Sequence, residues 1–189
     1  CSSSAKVVAS AYRAIESGLC DAAVVGGVDS LCLTTLYGFN SLQLVSAQPC
    51  RPSSVARDGL SIGEAGGFAL LEKHPDVGDM ALLGYGESSD AYHMSSPHPE
   101  GKGAQLAMQG ALRSAGLEPG QLGYINLHGT ATPANDLAES AAVCKVVGDT
   151  VPCSSTKGWT GHTLGAAGIV ESVLAISSIR QGYLPQTLN

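Results

Sequence analysis

The sequence is poor in charge, in aromatic residues and in long apolar runs. Of its 189 residues only 14% are charged and 5% aromatic, whereas 44% are hydrophobic. Since an ordinary globular domain is about 25% charged, this composition predicts a large interior filled by Ala, Val, Leu and Ile. The net charge of −6 and the absence of basic clusters argue against a nucleic-acid or anionic-membrane surface. The longest apolar stretches contain Gly, Ser or a charge and are too short to cross a bilayer.

Paired cysteines are also absent. The sequence has six cysteines, and none forms a C-x-x-C pair: Cys1, Cys20, Cys32, Cys50, Cys144 and Cys153. Cysteine and histidine nowhere cluster at zinc-binding spacing, so we expect no metal site. A reducing compartment, the cytoplasm, fits better than a disulfide framework, and we expect most of these cysteines to be small buried hydrophobes.

The first part of the chain mixes helix and strand patterns. Apolar residues three and four apart predict a helix that ends near Gly18, with Ala5, Val8, Tyr12, Ile15 and Leu19 on one face. The stretch AAVVGGVDS predicts a buried strand, and a weaker pattern predicts a helix within 34–45. GEAGGFALLEK and MALLGYGES predict two consecutive strands, and 103–115 predicts a helix that Gly116 ends.

The second part alternates more regularly. LGYINL predicts a strand, and Thr132 and Pro133 then suit the N-cap and first position of a helix that runs to about Val147, before Gly148. VPCSS predicts another strand, and 161–181 predicts a last helix, apolar nearly all round. This order predicts an α/β fold whose parallel or mixed sheet is covered by helices, with no internal linker.

Four reactive side chains lie where predicted strands and helices meet. Cys1 precedes the first helix, His128 follows LGYINL, Lys157 follows VPCSS, and His162 begins the last helical segment. Each of these residues alone has a common structural explanation, but α/β folds commonly carry their binding and catalytic residues at such junctions. A cysteine at a helix N-terminus favours the thiolate, and imidazoles can donate to an oxyanion or move a proton. The small residues of GHTLGAAG would let this segment approach another backbone closely.

Five consecutive stretches then resemble one family. CSSS, RDGLSIGEAGG, DAYHMSSPHPEGKG, HGTATPANDLAE and STKGWTGHTLGAAGIVE are similar, in order, to signatures of the β-ketoacyl-(acyl carrier protein) synthases. The similarity is greatest to the elongating enzymes of fatty-acid synthesis and to polyketide ketosynthase domains. It implies the α/β thiolase-like fold of five alternating layers, α-β-α-β-α, in a homodimer. Residues 1–189 would form one partial ketosynthase domain, the end of the first half and most of the second.

The resemblance implies a reaction and three residues that carry it. Cys1 would accept an acyl chain as a thioester. His128 and His162 would hold the thioester carbonyl of a malonyl extender and stabilise the enolate that decarboxylation forms. The enolate would attack the acyl group on Cys1 to give a 3-oxoacyl product. Two preorganised neutral imidazoles are suited to this charge, and no metal or organic cofactor is required.

The resemblance also implies supporting residues and partners. Lys157, together with Glu171, would order the histidine network, and Thr130 and Thr132 would hydrogen-bond the phosphopantetheine arm of the acyl carrier protein. That carrier is expected to be acidic, as this chain is. A basic docking patch would therefore either be local, with Arg51, Arg57 and Lys102 as candidates, or lie in the part of the family's domain that has no counterpart in this sequence.

The sequence departs from the family pattern at several positions. Ala131 stands where HGTGT has a glycine, which would cost strain if the position needs a positive φ. Ser53 and Ser54 replace Phe-Asp after Pro52 and leave the acyl-chain preference open. Gly158 and Trp159 replace the usual pair between lysine and histidine.

The extent of the similarity gives a further expectation. The family's portion before Cys1 and its closing glycine-rich loop after Asn189 have no counterpart here, roughly half of the expected domain. We therefore expect this polypeptide alone not to condense acyl and malonyl thioesters.

Four alternatives compete with a synthase. An N-terminal nucleophile hydrolase would use a leading cysteine, but Cys1 would then be expected to lead a strand and not a helix. A thiolase would share GHTLGAAG but not HGTAT followed by lysine. A chain-length factor is expected to lack Cys1, and a folded fragment with a purely structural role is the fourth alternative. DAYHMSSPHPEGKG favours the discrete fatty-acid type over a polyketide module.

Overall fold

The structure is a computed structural model that describes residues 1–74, 76, 78, 80–94 and 96–189. Ser95, within DAYHMSSPHPEGKG, lies outside the described residues. In the described ranges the elements are α1 (Ser3–Glu16), β1 (Ala22–Asp29), α2 (Leu33–Ser41), β2 (Ala65–Glu72), α3 (Lys102–Ala115), β3 (Ile125–Asn126), α4 (Pro133–Val146), β4 (Cys153–Ser154), α5 (Lys157–Thr160) and α6 (Ala167–Gln181). Short 3-10 turns occupy Pro119–Gln121 and Leu164–Ala166.

The chain divides into two compact units. The first comprises Cys1–Leu36, Ile62–Leu82 and His162–Tyr183, and the second comprises Tyr37–Ser61, Leu83–Gly161 and Leu184–Asn189. The prediction of a single partial domain stays a prediction.

In the first unit, β1 and β2 form an antiparallel pair in which Val25 lies opposite Ala69. The helices α1 and α6 pack on this pair. Val25 is 2% exposed and Ile169 1% exposed, so the core of the unit lies between the strands and the helices. A Cβ added to Gly168 would lie 2.5 Å from the backbone nitrogen of Ala5. The close backbone approach predicted for GHTLGAAG is therefore confirmed.

In the second unit, β3 and β4 pair in parallel, with Ile125 opposite Cys153. The helices α3 and α4 contact each other, and α4 buries Ala138 and Ala142 completely or nearly so. Gly101 precedes α3 with a φ of 63°, and a Cβ there would collide with the carbonyl oxygen of Ala138. Glycine is therefore required at this position both by conformation and by space.

Several predicted element boundaries are confirmed. Gly116 and Gly148 follow α3 and α4 with φ values of 65° and 87°, the left-handed backbone in which glycine commonly ends helices. The prediction of which face of α1 is buried is only partly confirmed. Ile15 is buried as expected, but Ala5 is exposed, and Leu19, which lies beyond the helix end, is 82% exposed.

Two other predictions are wrong. Residues 80–88, all described, form no strand. At Gly84 the backbone lies against α3, where an added Cβ would be 2.5 Å from the Ala115 nitrogen. The last helix is interrupted. Gly161 and Leu164 have φ values of 67° and 49°, which end α5 and delay α6 until Ala167.

The predicted burial of the cysteines is also wrong. Only Cys50 is buried, Cys20 is half-buried, and the others are exposed; all six thiols are free. The exposed ones lie at element ends or on the outer face of α4, where packing does not reach. In the described part of the chain, no helix is both long and apolar enough to span a bilayer.

Candidate functional site

The structure distributes the predicted site residues between the two units. Cys1, His162 and Glu171 belong to the first unit, whereas His128, Thr130, Thr132 and Lys157 belong to the second.

In the second unit, two of these residues follow adjacent parallel strands. His128 comes two residues after β3 and Lys157 three residues after β4. The carboxyl ends of paired parallel strands lie at one sheet edge, so the pairing brings both segments to the same edge. The Oγ of Ser155 donates to the carbonyl oxygen of Gly129 across 2.7 Å and ties the two segments together.

Glu139, on α4, holds the backbone at His128. Its two carboxylate oxygens accept the N–H groups of His128 at 2.6 Å and of Gly129 at 2.7 Å. The side chain of Asn135 donates to the same carboxylate at 3.4 Å. A two-oxygen acceptor facing two consecutive amides fixes the position and direction of the loop that carries the imidazole.

Opposing effects act on the pKa of Glu139, and burial is the largest of them. Burial raises the pKa of this carboxyl above its ordinary value, because desolvation disfavours the charged form. The two backbone N–H donors and the positive charge of Lys157 act in the opposite direction but do not offset burial.

Lys157 is itself 2% exposed, an unusual position for an ammonium group. Its backbone is fixed on both sides: its N–H donates to the Ser155 Oγ at 3.2 Å, and the Cys50 thiol donates to its carbonyl oxygen at 3.3 Å. The lysine is thus part of the buried structure of this unit and not a solvated loop residue.

Thr130, Ala131 and Thr132 form a buried turn before α4. The two threonine hydroxyls lie 2.8 Å apart. Ala131, between them, is fully buried and has a φ of 68°, so the condition under which alanine would cost strain here is met. The substitution of alanine for the family's glycine therefore places an L-residue in a strained conformation.

In the first unit, the chain that follows Cys1 contacts the chain that follows His162. The Ser4 Oγ donates to the Gly165 carbonyl oxygen at 2.6 Å and accepts the N–H of Ile169 at 3.0 Å. Cys1 is exposed just before α1, and His162 is 2% exposed. The first turn of α1 is therefore locked to the segment between the histidine and α6.

The second histidine segment is also tied to the strands of the first unit. The carbonyl oxygen of His162 accepts the N–H of Gly63 at 3.1 Å, and Ile62 pairs with His162 in an isolated parallel bridge. Asp29, which ends β1, accepts the Gly165 N–H at 2.9 Å. Glu171 is half-buried on α6. The unit thus positions His162 through its backbone from two directions.

Two residues that matter to this geometry were missed in the sequence. Asp136 and Glu139 lie three residues apart on α4, and their carboxylates reach back to the loop that precedes the helix. Residues at i and i+3 share a helix face, and acids near a helix N-terminus are stabilised there. That pattern was present in HGTATPANDLAE and could have marked both. Arg57 is a partly buried docking candidate, since its side chain is 15% exposed and its Nε lies 3.7 Å from the Asp136 Oδ2, and its docking role stays a prediction.

Comparison with known proteins identifies the family. Residues 1–76 match the N-terminal domain model of β-ketoacyl synthases, and residues 80–189 match the C-terminal domain model. The chain belongs to the β-ketoacyl synthase family. The resemblance inferred from the five sequence stretches is confirmed, and membership argues against the hydrolase and thiolase alternatives.

Individual relatives agree. The chain is 39% identical to the mitochondrial 3-oxoacyl-[acyl-carrier-protein] synthase of Arabidopsis thaliana, over 100% of this chain and 45% of the relative. It is 50% identical, with a TM-score of 0.96, to a chain in the structure of a ketosynthase in complex with its chain length factor from Xenorhabdus doucetiae, over 99% of this chain and 47% of that one. A third match is a chain in the structure of a type II polyketide synthase acyl-carrier protein in complex with its ketosynthase bound to the hexaketide. It is 29% identical, with a TM-score of 0.91, over 99% of this chain and 50% of that one.

These matches confirm the predicted fold class, a partial α/β domain of the thiolase-like ketosynthases. The chain spans about half the length of the relatives it matches. The roles of the individual site residues stay predictions.

Proposed function

We propose that this chain is part of an acyltransferase that carries out a decarboxylative Claisen condensation. The Cys1 thiolate attacks an acyl thioester and displaces the thiol of its carrier. A malonyl-carrier thioester loses carbon dioxide, and the enolate carbon attacks the acyl carbonyl on Cys1. The carbon–carbon bond forms as the carbon–sulfur bond breaks, which returns the Cys1 thiolate and releases a 3-oxoacyl carrier for fatty-acid or polyketide synthesis.

One observation within the second unit carries most of this proposal. The parallel strands β3 and β4 deliver His128 and Lys157 to one sheet edge, and Glu139 fixes the backbone of His128. An enolate is best stabilised by donors that are already oriented when its charge develops. His128, together with His162 of the first unit, is proposed to supply those donors.

The remaining roles are those that the family resemblance implies. Thr130 and Thr132 are proposed to hydrogen-bond the amides of the phosphopantetheine arm. A cavity of about 400 Å³ is lined in part by Ala134 and Leu137 of α4, the helix that follows these threonines. Lys157 and Glu171 are proposed to order the histidines. The steps as written consume no cofactor, and the expectation that neither a metal nor an organic cofactor is needed stays a prediction.

The partners are proposed from the relatives. An acyl carrier protein is supported by the solved complex of a carrier with its ketosynthase. Arg51 and Lys102 are exposed and stay candidates for its docking patch. The predicted second subunit is another copy of the protein, and the solved ketosynthase with its chain length factor supports a related subunit as the competing possibility. The cytoplasmic location stays a prediction.

The proposal is tested in two half-reactions. The protein is incubated with an acyl-carrier thioester, and its intact mass and a peptide map locate the acyl group; malonyl-carrier is then added, and carbon dioxide and the 3-oxoacyl product are quantified. We expect acylation at Cys1 that Cys1→Ala abolishes, and decarboxylation that His128→Ala reduces by about 100-fold or more. The chain of 189 residues is compared with a longer polypeptide that contains it, because we expect the shorter one not to turn over.

Cys144→Ala is the matched control, since Cys144 is exposed on α4 and takes no part in the proposed steps. It should leave both half-reactions unchanged. Acylation at a cysteine other than Cys1, or full decarboxylation by the His128→Ala variant, would contradict the proposal.

A further inference from the structure

One buried carboxylate joins two loops of the second unit. Asp136, in the first turn of α4, is 6% exposed. Its Oδ2 accepts the N–H of Ser53 at 2.8 Å, and its Oδ1 accepts the N–H of Ala131 at 3.2 Å. The side chain of Asn135 donates to Oδ1 at 3.2 Å. The same acid thus binds the segment that precedes Arg57 and the turn that precedes its own helix.

Both amides belong to residues in the left-handed conformation. Ser53 has a φ of 63° and Ala131 a φ of 68°. An L-residue with a side chain is disfavoured in this region and persists there only when its surroundings hold it. In each case Asp136 accepts the N–H of the strained residue. The hydrogen bond therefore stabilises a left-handed backbone conformation that is intrinsically unfavourable for that residue.

The ion pair with Arg57 explains why a charged acceptor is tolerated here. The Arg57 Nε lies 3.7 Å from Oδ2, and the same guanidinium donates to the Ser54 carbonyl oxygen at 2.7 Å. A buried carboxylate without a partner would be strongly disfavoured. The arginine therefore balances the charge and at the same time fixes the segment that carries Ser53.

The turn at Ala131 sets the geometry of the two threonines. Ala131 lies between Thr130 and Thr132, whose hydroxyls are 2.8 Å apart. A change of φ at the middle residue would redirect one hydroxyl relative to the other. We propose that Asp136 is a positioning residue: by holding Ala131 left-handed, it keeps the paired threonine hydroxyls oriented toward the amide-bearing arm of a carrier thioester. The assignment of that arm to the threonines rests on the proposed function.

The test is a double-mutant cycle between Asp136→Asn and Ala131→Gly in the active enzyme. Asparagine retains one acceptor oxygen and turns an amide toward the other N–H. We expect D136N to raise KM for the carrier thioester about 10-fold, the equivalent of one lost hydrogen bond, with kcat within about 3-fold. In the A131G background the increase should shrink to about 2-fold, because glycine adopts a positive φ without help. Asp149→Asn, an exposed acid, is the matched control and should change neither constant.

The same four variants are also compared by measurements that do not depend on catalysis. Hydrogen exchange at the amide of residue 131 and the urea midpoint are measured for all four chains. D136N should accelerate that exchange about 10-fold in the Ala131 background and much less in the A131G background. If no condensation is found but this coupling is present, the proposed function fails and the positioning role stands.

Three results would overturn the positioning role. The effects of the two substitutions could be additive, or D136N could lower kcat with KM unchanged. D136N could also fail to fold in both backgrounds, which would show that the left-handed turn is not what the carboxylate holds. Folding of D136N only in the presence of A131G would support it.

Discussion

Glu139 offers the sharpest test of the second unit, because one side chain accepts two consecutive backbone amides. Glu139→Ala removes both acceptors, whereas Glu139→Gln keeps one oxygen. A hydrogen bond to a charged group contributes about 1.5–3 kcal/mol. The site is half-buried, so water can replace part of each lost bond. We therefore expect E139A to lower the free energy of unfolding by about 2–4 kcal/mol at neutral pH, and E139Q by about half as much.

The measurement is urea unfolding of the chain, with the change taken from the midpoint where the slope is unaltered. Hydrogen exchange locates the effect: the amides of His128 and Gly129 should exchange about 10-fold faster or more in E139A, and one of them in E139Q. Glu16→Ala, at the exposed end of α1, is the control and should stay within about 0.5 kcal/mol. A loss below that limit in E139A, or faster exchange spread evenly over the chain, would refute the reasoning.

Three further outcomes are expected. Burial raises the pKa of Glu139, so the folded chain holds this proton more tightly than the unfolded chain does. The stability linked to this tighter proton binding is fully present below the ordinary pKa of 4.5 and is lost as pH rises through the folded pKa, while the hydrogen bonds to the two amides remain. The urea midpoint of E139Q, which has no such proton, should therefore fall less with rising pH than that of the unchanged chain, and parallel profiles would contradict this. Hydrogen bonding from Thr35 lowers the pKa of exposed Cys32, whereas burial raises that of Cys153. At pH 7 iodoacetamide should modify Cys32 faster than Cys153, and equal rates would exclude the effect. Gly86→Ala should cost about 2 kcal/mol or more, because its Cβ would collide with α3, and an unchanged urea midpoint would count against that contact.

The local part of the fold could be predicted from the sequence. Helix ends at Gly116 and Gly148, and the helix start at Thr132 and Pro133, depend on backbone preferences that a few neighbouring residues determine. The prediction of a strand at 80–88 was wrong for the opposite reason. An alternating apolar pattern fits any extended segment, and whether another strand lies beside it is decided by residues far along the chain.

The site divides in the same way. Residue type and position at element junctions were enough to single out His128 and Lys157, and the parallel pairing of β3 with β4 agrees with that choice. The contributions of Asp136 and Glu139 depend on carboxylates that turn back over the helix N-terminus to bind backbone amides. The sequence shows that these acids share a helix face, but not which amides they reach.

The exposed face of the β1–β2 pair explains why the composition predicts more burial than the structure has. Val24, Val28, Phe68 and Leu70 project from it and are 58–74% exposed. The opposite face, at Val25, packs on the helices and is buried. Strands that are apolar on both faces are typical of sheets covered on both sides. Among the residues that the structure describes, only one face of this pair is covered.

Neighbouring valines on β1 make this asymmetry measurable. Val24→Lys places its charge in water and should change the free energy of unfolding by no more than about 0.5 kcal/mol, while it lowers binding of a hydrophobic dye and self-association. Val25→Lys buries the same charge, since Val25 is 2% exposed against 74% for Val24, and should cost about 3 kcal/mol or more. The two variants share residue type, strand and charge, so only the face differs. Equal destabilisation in urea would mean that the Val24 face is covered in solution, and a dissociation that depends on protein concentration would then identify a second copy of the chain as the cover.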